Sequence, residues 1–587
     1  MKSRTSFFNR GVSRNLLRRC WPLWAGYALL LLLLMPVMDM FPMDPSDQIV
    51  GSTVNSMILY TVAPILVFSF FMGLLSVRFL FGYLFEKRGS GMMASLPVRR
   101  ESLFFTAWLT GLVPTLLLHL LWILLAYLRL AGHGLSLSTV GVWLLATTCG
   151  LLCFYGLAVL CAMLTGSRVI FPLLYLSLSF AAAVLQVCGA ELLDTLVYGY
   201  VPNMGVLYRF SPPVGMIERI VVQNEPAPHL EGLGLLGIYG AAGLVLSVLA
   251  LLLYRKRHME TATDNIAVRS LKPVFKYGLS LAAALISGTV IFALLWYNAY
   301  GSTAAAEVLV LMLIGAFLGY FAAEMLLQKT VKVFKGRWKG FLAVAAALIL
   351  FVCCAEFDVF GFERRVPAPE QVEQVSILWN YADGPIELEQ PESLVLVEEV
   401  HRGFVEHKAR NDLGVQNFRI TYTLKNGQTL TREYSRNFVQ LAGEDNREEL
   451  LKLQNLLNCR ESREKRAADC LPLTLSGPSG GSIWISTPNG NGGMRRDEEI
   501  QLSFVQIQSL YQEGILPDLE QGTLGRIWVL DRAEDRNPRS NVSIHLQWVD
   551  RKQNYQGSDW EVCMDSENCL RWLEENLGIV PTSRNAG

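Results

Sequence analysis

Apolar and polar positions along the 587 residues separate the chain into two halves with different periods. Up to residue 355, apolar runs recur near 22–40, 56–79, 103–128, 140–163, 169–188, 234–254, 274–297, 304–323 and 338–355. A run of about 20 apolar residues is long enough to cross the hydrocarbon core as a helix. The pattern therefore predicts a polytopic all-α membrane domain of about nine transmembrane helices. Only Thr165, Gly166, Ser167 and Arg168 separate the fourth and fifth runs, which predicts a tight hairpin. Beyond 355 the apolar stretches shorten and alternate. Strands are predicted over 375–379, 418–424, 429–434, 481–486, 501–507, 525–530 and 542–548. Lys425, Asn426, Gly427 and Gln428 between the second and third of these read as a hairpin turn. Helices are expected over 446–459 and 569–577, and a helix over 501–512 competes with the strand there. The Gly-, Ser-, Pro- and Asn-rich run 476–493 reads largely as a loop. Residues 356–587 are thus expected to form an α+β domain, with Trp484 and Trp528 in its core and no internal repeat of the kind that makes a solenoid.

Composition supports the division. Hydrophobic residues make up 52% and charged ones 17%, against about a quarter charged in soluble proteins. With a mean hydropathy of +0.32, this excludes a disordered chain, a small disulfide-stapled module and a polybasic nucleic-acid binder. The 51 basic and 51 acidic residues cancel only in total. Residues 1–355 carry 26 basic and 14 acidic side chains, a net of +12, and the remainder carries −12.

The basic residues cluster beside alternate runs: Arg10, Arg14, Arg18 and Arg19; Lys87, Arg88, Arg99 and Arg100; Arg255, Lys256 and Arg257; Lys329, Lys332, Lys335, Arg337 and Lys339. The positive-inside rule makes that face cytoplasmic, and an odd number of spans then leaves the C-terminal domain extracytoplasmic. Phe7, Phe8, Val12, Leu16 and Leu17 among the first arginines predict an interfacial helix over 1–21 rather than a cleaved signal peptide. Residues 80–102 are too polar to span and too apolar for a free loop, so a short interfacial helix is expected to end before Pro97. The loop 189–233 contains a second amphipathic piece, 210–222.

Candidate chemistry is sparse. No Gly-x-x-x-x-Gly-Lys-Ser/Thr phosphate loop, His-Glu-x-x-His zinc motif or Gly-x-Ser-x-Gly elbow occurs, so no catalytic or metal site is expected. His119 is the ionisable residue nearest the centre of a span, while Glu307 and Glu324 lie at span ends. Cys149, Cys153, Cys161, Cys188 and Cys353 read as small packing residues in apolar runs. Cys459, Cys470, Cys563 and Cys569 can form two local disulfides on an oxidising face or remain buried thiols.

The segments Tyr83-Leu84-Phe85-Glu86-Lys87-Arg88 and Ser95-Leu96-Pro97-Val98-Arg99-Arg100-Glu101 resemble the first cytoplasmic connector of ABC-2-type transporter permeases. Within that family the chain is similar to a Gram-positive group with extra spans and a C-terminal domain of unknown function. Arg255-Lys256-Arg257-His258-Met259-Glu260-Thr261-Ala262 and Tyr422-Thr423-Leu424-Lys425-Asn426-Gly427 carry the likeness further. The resemblance implies a six-span core over 22–260 with a coupling connector at 80–102, three added helices over 261–355 and the external domain at 356–587. It implies Glu86, Lys87, Arg88, Pro97, Arg99, Arg100 and Glu101 as the ATPase-coupling residues. The function it implies is the permease subunit of an ATP-driven transporter, an exporter in a bacterial cell membrane. ATP and Mg would be bound by a separate ABC-type ATPase subunit, and a second permease chain and membrane lipid complete the partners, with no nucleic acid. A non-transporting membrane sensor or assembly protein, whose external domain binds an envelope component, is the alternative.

Overall fold

The computed structural model describes residues 8–35, 50–95, 97–202, 205–224, 227–257, 263–265, 271–295, 304–334, 336–379, 385–406, 416–436, 447–470, 478–488, 494–524, 539–549 and 555–581. Among them, nine helices are long and apolar enough to cross a membrane. In chain order the helices of this region are α1 (Arg10–Leu33), α2 (Val50–Tyr60), α3 (Val62–Leu80), α4 (Lys87–Ala94), α5 (Arg100–Leu130), α6 (Leu137–Leu164), α7 (Ile170–Leu196), α8 (Pro212–Arg219), α9 (Leu233–Lys256), α10 (Leu271–Ile286), α11 (Phe292–Leu295), α12 (Ala304–Gln328) and α13 (Trp338–Glu356). Helices α2 and α3 together make the second span, and α10 and α11 the seventh, joined through one π-helical stretch.

The N-terminal expectation changes in one respect. Residues 10–33 form a single helix, so the basic amphipathic stretch runs into the first apolar run without a break. Asn9 starts it, its side chain accepting from the Gly11 and Val12 N–H groups at 3.0 and 3.1 Å. Ser13, Leu16, Cys20, Trp24, Tyr27 and Leu31 are its buried residues, a 3–4 spacing that puts them on one stripe.

Helix α6 is the hub of the bundle. It packs against α9 and α3, and its glycines show how closely. A Cβ on Gly156 would stand 2.1 Å from the Gly243 carbonyl oxygen of α9, and one on Gly243 would stand 2.2 Å from the Leu152 oxygen. A Cβ on Gly73 of α3 would meet the Phe154 backbone at 3.2 Å. Lipid tails are as apolar as leucine, so spans associate by close packing of small residues rather than by hydrophobic exclusion. Polar bonds add register: Tyr155 donates to the Trp108 carbonyl at 3.1 Å, and Trp108 to the Ser247 hydroxyl at 3.2 Å. The amphipathic piece at 210–222 holds a short helix, α8, started by Pro212 and Pro213. Its Met216 is buried, and Tyr239 of α9 donates to the Arg209 carbonyl beside it at 2.6 Å. Two short strands follow, β1 (Val222–Gln223) and β2 (His229–Leu230), paired antiparallel.

The chain divides into two compact units: Met1–Leu192 with Asn203–Leu294 and Val308–Leu350, and Leu193–Pro202 with Leu295–Glu307 and Phe351–Gly587. The second unit contains strands β3 (Val372–Trp379), β4 (Ile386–Leu388), β5 (Gln416–Leu424), β6 (Thr429–Arg436), β7 (Pro478–Pro488), β8 (Met494–Gln501), β9 (Arg539–Val549) and β10 (Tyr555–Cys563). Its helices are α14 (Pro391–Glu406), α15 (Arg447–Leu457), α16 (Arg460–Cys470), α17 (Phe504–Ser509), α18 (Leu516–Gln521) and α19 (Glu567–Leu577). This is an α+β region, as expected.

Its topology contains a duplication. The first sheet has the order β4-β3-β5-β6 and the second β10-β9-β7-β8, all antiparallel. Each module therefore runs strand, strand, helix, strand, strand, helix, with the first strand paired to the second and third. Each has its own core: Val375, Ile377, Leu388, Val397, Phe418 and Leu453 in one, and Ile483, Leu510, Ile515, Ile544, Val562 and Leu573 in the other. In the 476–493 run, read largely as loop around a strand at 481–486, that strand is present and longer, as β7. Its glycines serve packing, since a Cβ on Gly481 would stand 2.6 Å from Leu546. The contested 501–512 stretch is helical after Gln501, begun by a capping box between Ser503 and Gln506. The 525–530 stretch and Trp528 lie outside the described residues, and Trp484 is half-buried on β7.

Candidate functional site: the face where the basic connectors meet

The segment after α3 folds back before it reaches α4. Tyr83, Leu84 and Phe85 form a 3-10 turn and are all buried, which anchors the connector to the bundle. Glu86 follows and ion-pairs with Arg168 of the α6–α7 hairpin. Helix α4 then exposes Lys87, Arg88, Gly91 and Met92, with Met92 62% exposed. Gly89 lets this helix lie on the turn, because a Cβ there would stand 3.2 Å from the Tyr83 backbone. Pro97 and Arg99 are exposed and lead into α5. Arg100 and Glu101 point elsewhere: Arg100 donates to the Arg257 carbonyl at 3.2 Å, and Glu101 pairs with Arg255 at 2.9 Å. Of the expected coupling residues, Lys87, Arg88, Pro97 and Arg99 thus present an outer surface, and Glu86, Arg100 and Glu101 tie the connector to its neighbours.

Arg257 is the residue the motif reading missed. It lies one position beyond α9 and is buried, although every sequence criterion marks it as one more positive-inside arginine. Its guanidinium donates to the Ala162 carbonyl at 2.7 Å, the Met163 carbonyl at 3.3 Å and the Leu84 carbonyl at 3.3 Å. Ala162 and Met163 lie in the last turn of α6, where carbonyls lack helical partners and carry the negative end of the macrodipole. One side chain therefore caps the hub helix and holds the first connector. Burial pushes the Arg257 pKa down to about 10, opposed by Tyr83, Tyr254 and Asp264, so it stays charged at neutral pH. Tyr83 and Tyr254 hydroxyls meet beside it at 3.0 Å.

The remaining connectors join the same face. Gly166 N–H donates to the Asp264 carbonyl at 2.8 Å, and Thr263 N–H to the Gly166 carbonyl at 2.9 Å. Thr165 donates to the Asn265 carbonyl at 2.7 Å, and the Asn265 amide reaches the Leu326 carbonyl of α12. Lys329 pairs with Asp264 at 3.2 Å. Glu324, expected at a span end, is there but buried; it pairs with Lys276 at 3.6 Å and Arg337 at 3.2 Å. Lys276 also lies 5.0 Å from the ring centres of Tyr277 and Tyr320.

Other expected residues are placed away from this face. His119 is fully buried on α5, its Nε2 2.6 Å from the Tyr27 hydroxyl and its ring edge-on to Trp143. Glu307 lies in the first turn of α12 and is half-buried. Cys149, Cys153, Cys161, Cys188, Cys353 and Cys354 are free thiols. Of the two alternatives for the C-terminal cysteines, Cys563 and Cys569 take the second, as buried free thiols. The Cys569 N–H donates to the Asp518 carboxylate at 2.8 Å, and its thiol points at Gly514 in the module core. Burial, then Asp518, pushes that thiol well up. Cys459 is also free, with its sulfur 3.7 Å from the Ser393 hydroxyl, and the Cys470 side chain lies outside the described residues. Among the described residues no group of three or more His, Cys, Asp or Glu is arranged to hold a metal ion.

Fold and site together define a multi-spanning membrane protein with a globular α+β C-terminal region and one end of its bundle cross-linked by basic connectors. No protein-family model, curated protein or solved structure matches the chain.

Proposed function

We propose that the chain is the permease subunit of an ATP-driven transporter of the ABC-2 type, an exporter energised by a separate ATPase. The carrying observation is the convergence just described. The connectors after the second, fourth, sixth and eighth spans meet one another through Glu86–Arg168, Arg257–Leu84, Gly166–Asp264 and Asp264–Lys329. A push on the connector is therefore delivered along the chain to α5 and from it to the end of α9 through Arg100 and Glu101, to α6 and α9 through Arg257, and to α7 through Arg168. That is the connectivity a permease without its own nucleotide site requires: one outer surface, formed by Lys87, Arg88, Met92, Pro97 and Arg99, wired to the central helices. The excess of Lys and Arg supports a cytoplasmic assignment for this face, and with it an outside location for the C-terminal modules.

The test is purification of the full chain from its native membrane, followed by a search for a bound P-loop ATPase. The ATPase is expected with the parent chain and lost with Met92→Glu, which sits on an exposed surface and leaves the packing intact. Isolation of the parent chain with no nucleotide-hydrolysing partner, or retention of the ATPase by Met92→Glu, overturns the reading.

A further inference from the structure

Helix α13 ends at Glu356, and the chain leaves it through a turn whose backbone is firmly held. Asp358 takes a left-handed conformation, φ 45°. The Val359 N–H donates to the Cys354 carbonyl at 3.1 Å and the Asp358 N–H to the Ala355 carbonyl at 3.2 Å. This is the Schellman closure of a helix, with Asp at the position glycine usually takes. The aspartate repays its backbone strain through its side chain, which accepts from the Glu363 N–H at 3.2 Å and the Arg364 N–H at 3.3 Å. The turn is braced on its far side as well. Buried Glu363 accepts from the Tyr198 N–H at 2.8 Å, and Arg432 donates to the Phe362 carbonyl at 2.7 Å with its guanidinium 3.7 Å from that ring's centre.

A turn so fixed has no freedom to hide its side chains. Phe357, Val359 and Phe360 are nonetheless 71%, 63% and 86% exposed. Arg364 and Arg365 are exposed a few residues on. Three large apolar side chains presented on a rigid turn mark a surface that something covers.

Chain continuity identifies the cover. Phe357 directly follows a helix whose apolar window has a mean hydropathy of 2.2 and is only 17% buried, so the rest of the chain leaves most of that helix's apolar surface uncovered. The residue after such a helix stands at the level of the headgroups, where apolar side chains such as phenylalanine dip into the acyl boundary and guanidinium groups meet phosphate. We propose that the turn formed by residues 357–360 is seated in the headgroup–acyl boundary of the membrane that α13 crosses. Phe357, Val359 and Phe360 lie among the acyl esters, and Arg364 and Arg365 lie against phospholipid phosphates. The partner is lipid, not a second protein surface. This inference does not rest on the transporter reading.

The test uses photoreactive benzoylphenylalanine in place of Phe360 and, separately, Phe357, in the full chain in cell membranes. Irradiated protein is digested and the labelled peptide weighed. A phospholipid adduct at both positions, with none when the same residue replaces exposed Glu373 on β3, is the expected result. A cross-link from 360 to another polypeptide, or no adduct at either position, overturns the proposal. Because Phe360 makes so little contact with the protein, its replacement leaves folding intact.

Discussion

The first C-terminal module contains a buried histidine whose neutrality the fold enforces, and lowering the pH should therefore unfold that module selectively. His401 on α14 is fully buried between two tyrosines, with Nδ1 2.7 Å from the Tyr422 hydroxyl and Nε2 2.8 Å from the Tyr434 hydroxyl. Facing it are Phe404 on the same helix, stacked on Tyr434, and Arg432 on β6. Burial, and then Arg432, pushes the imidazole from 6.5 down to about 3. A folded pKa below the unfolded one means that the fold favours the neutral ring. The stabilisation is complete above pH 6.5 and is lost as the pH falls from there toward 3. Each pH unit inside that window removes about 1.4 kcal/mol, so moving from pH 8 to pH 5 removes about 2 kcal/mol. Hydrogen exchange on the full chain, corrected for intrinsic rates, reads this as loss of protection in β5 and α14. The second module, without this histidine, keeps its protection. His401→Gln removes the titrating group while keeping a donor and an acceptor for the tyrosines, and its pH slope should be shallower by the same amount. Parallel slopes in the parent and the variant would falsify the assignment to His401.

Three further outcomes follow from packing. Gly156→Ala puts a Cβ 2.1 Å from the Gly243 oxygen where ordinary contact begins near 3.4 Å, so α6 and α9 must separate. Thermal unfolding in detergent should register a loss of about 1–3 kcal/mol, whereas Gly26→Ala, with nothing within 4 Å, should be silent. Arg257→Gln leaves the Ala162 and Met163 carbonyls short of a donor at about 1–3 kcal/mol, and Arg257→Lys should rescue little, since one ammonium cannot reproduce the fork. Parent-level stability in Arg257→Lys would show that a single charged donor, not the fork, is what the site needs. Cys563 and Cys569, as buried thiols, should resist maleimide in the native chain and react on denaturation without reductant; a requirement for reductant means that they are bridged.

What the sequence revealed and what it hid divide along a physical line. Spans were legible because desolvating a backbone in lipid demands long apolar runs, and each run carries its own evidence. The hairpin of β5 and β6 was legible for a similar local reason, its turn chemistry at Lys425–Gln428. The role of Arg257 was hidden because burial of a charged side chain is set by acceptors at residues 84, 162 and 163, far from it in sequence. In residues 476–493 the strand was legible only at 481–486 and not at its full length, because glycine and serine mark both loops and tightly packed inner strands. β7 is the second kind, paired on both sides and carrying Gly481 under Leu546. The capping box at Ser503 was in plain view and would have settled the helix against the strand. The duplicated module was hidden because its two copies share an order of elements and an inward alternation of apolar residues, and these two properties leave no common sequence motif.

The compact units also constrain the span count in a way that hydropathy cannot. Residues 193–202 end the fifth span and follow it, and residues from 351 end the ninth; both stretches belong to the unit of the C-terminal modules. The contacts are specific: the Glu433 N–H reaches the Gly199 carbonyl at 3.4 Å, and Tyr198 packs on Tyr434 with ring centres 5.1 Å apart. Gly199, at φ 74°, lies so close over Tyr434 that a Cβ would stand 2.6 Å from the ring. Backbone and rings in direct contact lie on one side of a bilayer, and Tyr198 N–H also reaches Glu363, so the chain crosses an even number of times between Leu196 and Phe357. The connector face independently requires even numbers of crossings between successive connectors up to α12, because the loops after the second, fourth, sixth and eighth spans are bonded to one another. A single missed or false span between α7 and the end of α12 would violate both conditions, and one at α13 the first. A full-chain accessibility scan therefore has a sharp expectation: cysteines introduced at exposed Ile217 and exposed Phe360 are labelled from one side of the membrane, and one at exposed Met92 from the other. Labelling of positions 92 and 360 from the same side would refute the nine-span alternation and, with it, the external placement of the modules.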